Sequence, residues 1–200
     1  MVEFSPSGSN RLHLGCGRTI LDGWINVDSF PLPGIDMIFD LEMPDKETLP
    51  FPDESVDEFL LSHVIEHIDN SLGLMQELHR VAKPDAVAWI RAPHGASDDA
   101  HEDPTHVRCY FPNSFGYFSQ PYYWRADYGY RGDWLTEVIT LRVQEAKFRS
   151  TSVSDEEIHR LMARERNIVS EMVVKMRAVK PIRLPERSLQ KPPTLTIERV

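Results

Sequence analysis

The chain has 200 residues, 41% of them hydrophobic and 26% charged, which fits one domain with a proper core and leaves no room for two catalytic domains. Its 31 acidic and 22 basic residues give a net charge of -9, which works against binding to nucleic-acid phosphate. No stretch of about 18 apolar residues is present to span a membrane, and residues 1–10 lack the basic and apolar regions of a signal peptide.

In chain order, residues 1–10 read as a flexible leader and Arg11 to Leu14 as a first strand. Ile25 to Val27 reads as a second strand and Ile35 to Leu41 as a third. A proline-rich turn over Leu49 to Ser55 precedes a fourth strand, Val56 to Leu61. Asp69 or Asn70 can cap a helix whose apolar positions Leu74, Met75, Leu78, Val81 and Ala82 recur at helical spacing. Lys83-Pro-Asp85 stops it, and Ala86 to Ile90 gives a fifth strand. Residues 93–133 hold histidines, aromatics and prolines without sustained period and read as a loop or lid. Trp134 to Val143 is β-prone. Ser154-Asp-Glu-Glu157 forms a capping box, and apolar residues from Ile158 to Met176 follow at 3.6-residue spacing. They predict one long amphipathic helix over 154–179, whose length leaves room for a homodimer contact. Pro193 to Val200 alternates as a final strand. Strands alternating with helices predict an α/β, doubly wound, mostly parallel sheet within a single domain, 1–200.

The most informative segment is Leu12-His-Leu-Gly-Cys-Gly17 followed by Gly23-Trp-Ile-Asn-Val-Asp28. A glycine turn off the first strand lets the backbone approach a ligand closely. An aspartate closing the second strand is placed to accept from two ribose hydroxyls. Both features point to a cofactor containing adenosine. Asp28 follows Gly17 by only 11 residues, whereas dinucleotide-binding folds place the acidic residue about 20 on. The first helix is therefore stunted, which argues against a nicotinamide cofactor with its pyrophosphate. Cys16, inside the turn, and Cys109 are the two cysteines. Two so placed make no disulfide framework, and a reducing cytoplasm is the expected location.

Together with Phe39-Asp-Leu41, Leu49-Pro-Phe51, Val56-Asp57 and His63-Val-Ile-Glu-His-Ile68, these motifs resemble the class I S-adenosylmethionine-dependent methyltransferases. The likeness is closest to the small type 11 group, many of which act on small molecules and sugars, and covers residues 11 to about 94. The resemblance implies a Rossmann-like, seven-stranded sheet with an antiparallel last strand, Pro193 to Val200 being that inserted strand. It implies S-adenosylmethionine as cofactor, held by Gly15, Cys16, Gly17 and Asp28. Asp40 is similar to the residue that bonds the adenine amino group, with Leu41 beside it, and His63 is placed to line the methionine end.

The expected reaction is methylation of an oxygen or nitrogen of a small molecule or glycan. A cofactor-binding partner subunit without catalysis is the alternative. A histidine with pKa near 6.5 suits removal of an acceptor proton, and His106, His101 and His94 follow the fifth strand where acceptor loops sit. His106 ranks first because Asp103 stands close enough to orient its ring. Glu66 and His67 are secondary candidates. His101, Asp103, His106 and Cys109 match no standard zinc spacing, so no metal is expected. Tyr110, Phe111, Phe115, Tyr117, Phe118, Tyr122, Tyr123 and Trp124 suit stacking on a sugar or an aromatic acceptor, or packing of the lid onto the sheet.

Overall fold

The computed structural model describes residues 9–43, 47–145 and 153–200; most of the expected leader lies outside the described residues. Eight strands form one sheet: β1 (Arg11–Leu14), β2 (Ile25–Asp28), β3 (Met37–Ile38), β4 (Val56–Ser62), β5 (Ala82–Pro93), β6 (Trp134–Val143), β7 (Val169–Ala178) and β8 (Thr194–Arg199). Their order is β3-β2-β1-β4-β5-β7-β6-β8. The first five run parallel to one another, whereas β7 is antiparallel to both β5 and β6. The α/β class and mostly parallel sheet are as expected.

Alternation explains the sheet. Phe59, Leu61, Ala88, Ile90, Ile139, Leu141, Met172, Val174 and Met176 are buried, each at most 0% exposed. Between them, Glu58, Trp89, Glu137, Lys175 and Arg177 are half-buried and pair across strands: Trp89 Nε1 donates to Glu58 at 3.0 Å, and Lys175 and Arg177 both reach Glu137. Cross-strand pairs of this kind stabilise a sheet face that side chains alone must screen. The helix α1 (Ser71–Val81) lies over the apolar face, where the Trp134 indole donates to Met75 O at 2.9 Å and packs edge-on against Phe59. Asn70 caps α1 as expected, its side chain accepting from Gly73 N.

Several expectations are corrected. The helix over 154–179 is only α3 (Asp155–Met162), Ser154 capping it through Glu157 N; α2 is the short turn Asp99–Glu102. Residues 169–178 are β7. Their apolar positions satisfy a period of two as well as 3.6, and β-branched Val169, Val173 and Val174 favour the strand once its backbone can pair on both sides. Asn167, in the left-handed region at φ 62°, turns the chain between the two. The ground for a dimer contact along a long helix goes with it. The inserted antiparallel strand is therefore β7, not Pro193 to Val200. β8 is an eighth, edge strand running parallel to β6, so the expected count of seven strands is also exceeded. The third strand shrinks to Met37–Ile38 and the fifth extends over Ala82–Pro93. No helix among the described residues is long and apolar enough to cross a membrane.

Candidate active site

Gly15 follows β1 at φ 63°, and a Cβ there would stand 2.5 Å from Val64 Cγ2. Only glycine satisfies both the backbone and the close approach of the segment after β4. Gly17, also left-handed, donates its N–H to Asp28 Oδ2 at 2.8 Å, and Phe30 N donates to Asp28 Oδ1 at 3.0 Å. Each carboxylate oxygen holds one backbone donor and retains a lone pair for a hydroxyl. As the short spacing requires, no helix forms between Gly17 and β2.

A cavity of about 200 Å³ opens at these strand ends, lined by Gly15, Asp28, Asp40, Leu41 and His63, with Phe39, Val64 and His67 completing the wall. Of the seven expected cofactor residues the fold brings five together. Cys16 is buried instead, its N–H tied to Val27 O and its thiol pushed up by burial. Gly17 acts through Asp28. Ser29, Phe39 and Val64 carried no chemical signal in the sequence; they reach the wall through adjacency to Asp28, Asp40 and His63.

His63 stands at φ 55°, an uncommon conformation for a residue with a side chain. It turns the chain off β4 and lines a second cavity of about 380 Å³ with Asp99, Arg142, Gln144, Ser170 and Glu171. Its Nε2 lies 2.7 Å from Glu171 and its Nδ1 3.4 Å from Glu66 Oε1, and the two carboxylates, Glu171 foremost, raise its pKa to about 9. Burial works to raise the Glu171 carboxyl, but hydrogen bonds from His63 and Arg91 outweigh it and hold the group at about 2. A cation thus sits where the two cavities meet.

The loop histidines separate. His94 is 2% exposed, its Nδ1 accepting from Ala96 N, and burial lowers its pKa. His101 Nε2 is 3.1 Å from Gly95 O, and its Nδ1 is 3.8 Å from Cys109 Sγ. His106 alone packs against the cavity wall, its ring centroid 4.7 Å from that of His67. The tie is backbone: Glu66 O accepts from Val107 N at 2.9 Å and Arg108 N at 3.2 Å. The aromatic segment lines a separate cavity of about 440 Å³ that includes Tyr110, Phe111, Tyr117 and Tyr123.

These donors fit S-adenosylmethionine: a carboxylate for the ribose hydroxyls, Asp40 and Leu41 for the adenine edge, and a glycine surface between. Asp28, Asp40 and Leu41 are the residues that would hold it, at a cavity of about 200 Å³ that is smaller than the roughly 300–1,000 Å³ of ligand pockets. When bound, the cofactor supplies a methyl group already activated on a sulfonium.

A model of the methyltransferase domain matches residues 29–90, beginning one residue beyond Asp28. A search of curated proteins finds no match. Among solved structures, a SAM-dependent methyltransferase from Archaeoglobus fulgidus is 20% identical, covering 87% of this chain and 88% of its own, with a TM-score of 0.55. The Bacillus subtilis YcgJ protein is 13% identical, over 86% of this chain and 93% of its own, at 0.53. A SAM-dependent methyltransferase from Aquifex aeolicus is 15% identical, over 86% and 82%, at 0.50. The likeness to these structures concerns the fold, and the domain match covers the strands that carry Asp40 and His63. Residues 29–90 thus match the methyltransferase domain, and the chain has the fold of the S-adenosylmethionine-dependent methyltransferases it is similar to.

Proposed function

We propose that the chain methylates an oxygen or nitrogen of a small polar molecule or a sugar. The observation that carries this reading is the position of His63, shared between the cofactor cavity and a neighbour lined by Asp99, Arg142, Gln144, Ser170 and Glu171. Those side chains can hydrogen-bond hydroxyls and amines, while Pro93 and Val200 complete the lining. Holding such an acceptor in line with the methyl supplies much of the acceleration.

Removal of the acceptor proton falls to the Glu66, His67 and His106 cluster. Of the three loop histidines, His106 has the ring contact to the cavity wall, whereas burial of His94 disfavours the imidazolium a base must become. Labelled S-adenosylmethionine incubated with an array of sugars, polyols and small amines tests the reading. Label transfer to a polar acceptor, reduced about 10²–10⁴-fold in His106→Ala, supports it. Transfer only to hydrophobic acceptors, or to none with cofactor bound, overturns it.

A further inference from the structure

Glu66 and His67 sit on the single 3-10 turn Ile65–His67 that follows β4, and the backbone tie to Val107 and Arg108 presses His106 against them. One ligand atom from each of the three lies within 4.8 Å of the others. Glu66 is 1% exposed, and neither carboxylate oxygen accepts a hydrogen bond. His63 Nδ1, 3.4 Å from Oε1, is the cation beside it. His106 Nδ1 is also buried without a hydrogen-bond partner. Buried polar atoms are paired in the great majority of cases, and leaving one unpaired costs about 1–3 kcal/mol, more when charged. With His63 facing Oε1, Glu66 Oε2 and His106 Nδ1 are the buried atoms left without a partner, in a group whose ligand atoms lie close together.

The surrounding bonds fix how the imidazoles can bind. The Thr105 hydroxyl donates to Asp103 Oδ1 at 2.6 Å, so its oxygen accepts from His67 Nδ1 at 3.0 Å. The proton on Nδ1 leaves the Nε2 lone pair of His67 free. Asp103 Oδ2 lies 3.9 Å from His106 Nε2, on the side away from the unpartnered Nδ1. A hydroxyl holding the outer nitrogen, as Thr105 holds that of His67, is how metal-binding imidazoles are oriented, whereas Asp103 lies beyond hydrogen-bond reach of His106 and adds only its charge.

We propose that Glu66, His67 and His106 bind one divalent transition-metal ion, from a donor set shared by zinc and non-haem iron(II), with zinc as the redox-inert probe. Two imidazoles and one carboxylate are a zinc set that keeps a coordination position open. Zinc bonds of ~2.0–2.2 Å place ligand atoms roughly 3.3 Å apart on a tetrahedral ion, so side-chain closure on the order of 1 Å completes the site. Because His67 also lines the cofactor cavity, the open position borders the space where methyl transfer is placed. That link rests on the reading given under Proposed function: the ion would lower the pKa of an acceptor hydroxyl held at the open position, whose proton would pass to solvent water, with His106 serving as a ligand and not as the base.

Zinc binding itself is measured without cofactor or acceptor. Protein stripped with a chelator, then dialysed against zinc and freed of excess, should retain one zinc per chain by elemental analysis, and zinc should raise its melting temperature. Calorimetric titration with zinc should show E66Q and H106A weakened by at least about 100-fold. H159A, on exposed α3, should bind as the parent does. Absence of retained zinc, affinity unchanged in both E66Q and H106A, or loss in H159A overturns the proposal. If E66Q loses its cooperative melt, H106A and the parent stoichiometry decide. Methyl transfer absent with zinc bound leaves the metal site standing and sinks the acceptor reading; methyl transfer indifferent to chelation does the reverse.

Discussion

The Gly17 N–H donates to Asp28 Oδ2 at 2.8 Å, so the glycine turn after β1 and the carboxylate closing β2 form one unit. The bond orients the carboxylate before any ligand arrives, which lowers the cost of ordering it on binding.

Asp28→Ala removes the acceptor for two ribose hydroxyls and also frees Gly17 N and Phe30 N. A loss of about 2–4 kcal/mol in S-adenosylmethionine affinity is expected, since hydrogen bonds to charged groups contribute about 1.5–3 kcal/mol each without adding fully. Calorimetry reads this directly, with NAD as a ligand expected not to bind the parent chain. Unchanged affinity in the variant would remove Asp28 from the site.

Arg183 anchors the segment after β7. Asp133 is 0% exposed, and Arg183 donates to both of its oxygens, at 2.7 and 2.8 Å, with Gln120 N adding a bond at 3.2 Å. Arg183→Met leaves a buried carboxylate without its cation, and about 3–5 kcal/mol of folding stability should be lost. Urea denaturation measures it; a loss under about 1 kcal/mol would show that water reaches Asp133.

Stability should also depend on two histidines outside the site. Burial lowers the pKa of His13 and of His79, whose Nε2 donates to Val179 O at 3.1 Å. Lys180 adds to the lowering at His79, while the bond to Val179, Asp133 and Glu54 oppose it. The folded state keeps these rings neutral where the unfolded chain, with pKa near 6.5, takes up protons. Their contribution is therefore complete above about pH 6.5 and lost as pH falls below it. His63 has the opposite sign, its raised pKa adding stability below about pH 9. His79→Gln isolates one ring: between pH 7.5 and 5.5 its urea midpoint should fall less than that of the parent. Parallel slopes would mean that His79 titrates normally in the fold.

Legibility in the sequence followed the range of the interaction. Arg11 to Leu14, the Asn70 cap, the helix to Val81 and the glycine turn rest on neighbours a few residues away, and the structure places all of them as read. Residues 169–178 are ambiguous because Val169, Met172, Val173 and Met176 fit a helical period while Met172, Val174, Met176 and Ala178 alternate as a strand, and the choice lies in pairing with β5 and β6 across the chain. Grouping His106 with His101, Asp103 and Cys109 likewise followed sequence proximity. Its ring contact is with His67, 39 positions earlier.

The sequence by itself determined the α/β class and the pairing of the glycine turn with Asp28, because strand, glycine turn and terminal aspartate are local signals joined in order. Only the tertiary structure decided which strand is inserted antiparallel, that His63 bridges two cavities, and that Glu66, His67 and His106 converge. Those depend on hydrogen bonds such as Val107 N to Glu66 O, which no local propensity encodes and which exist only once the sheet has brought distant segments to one edge.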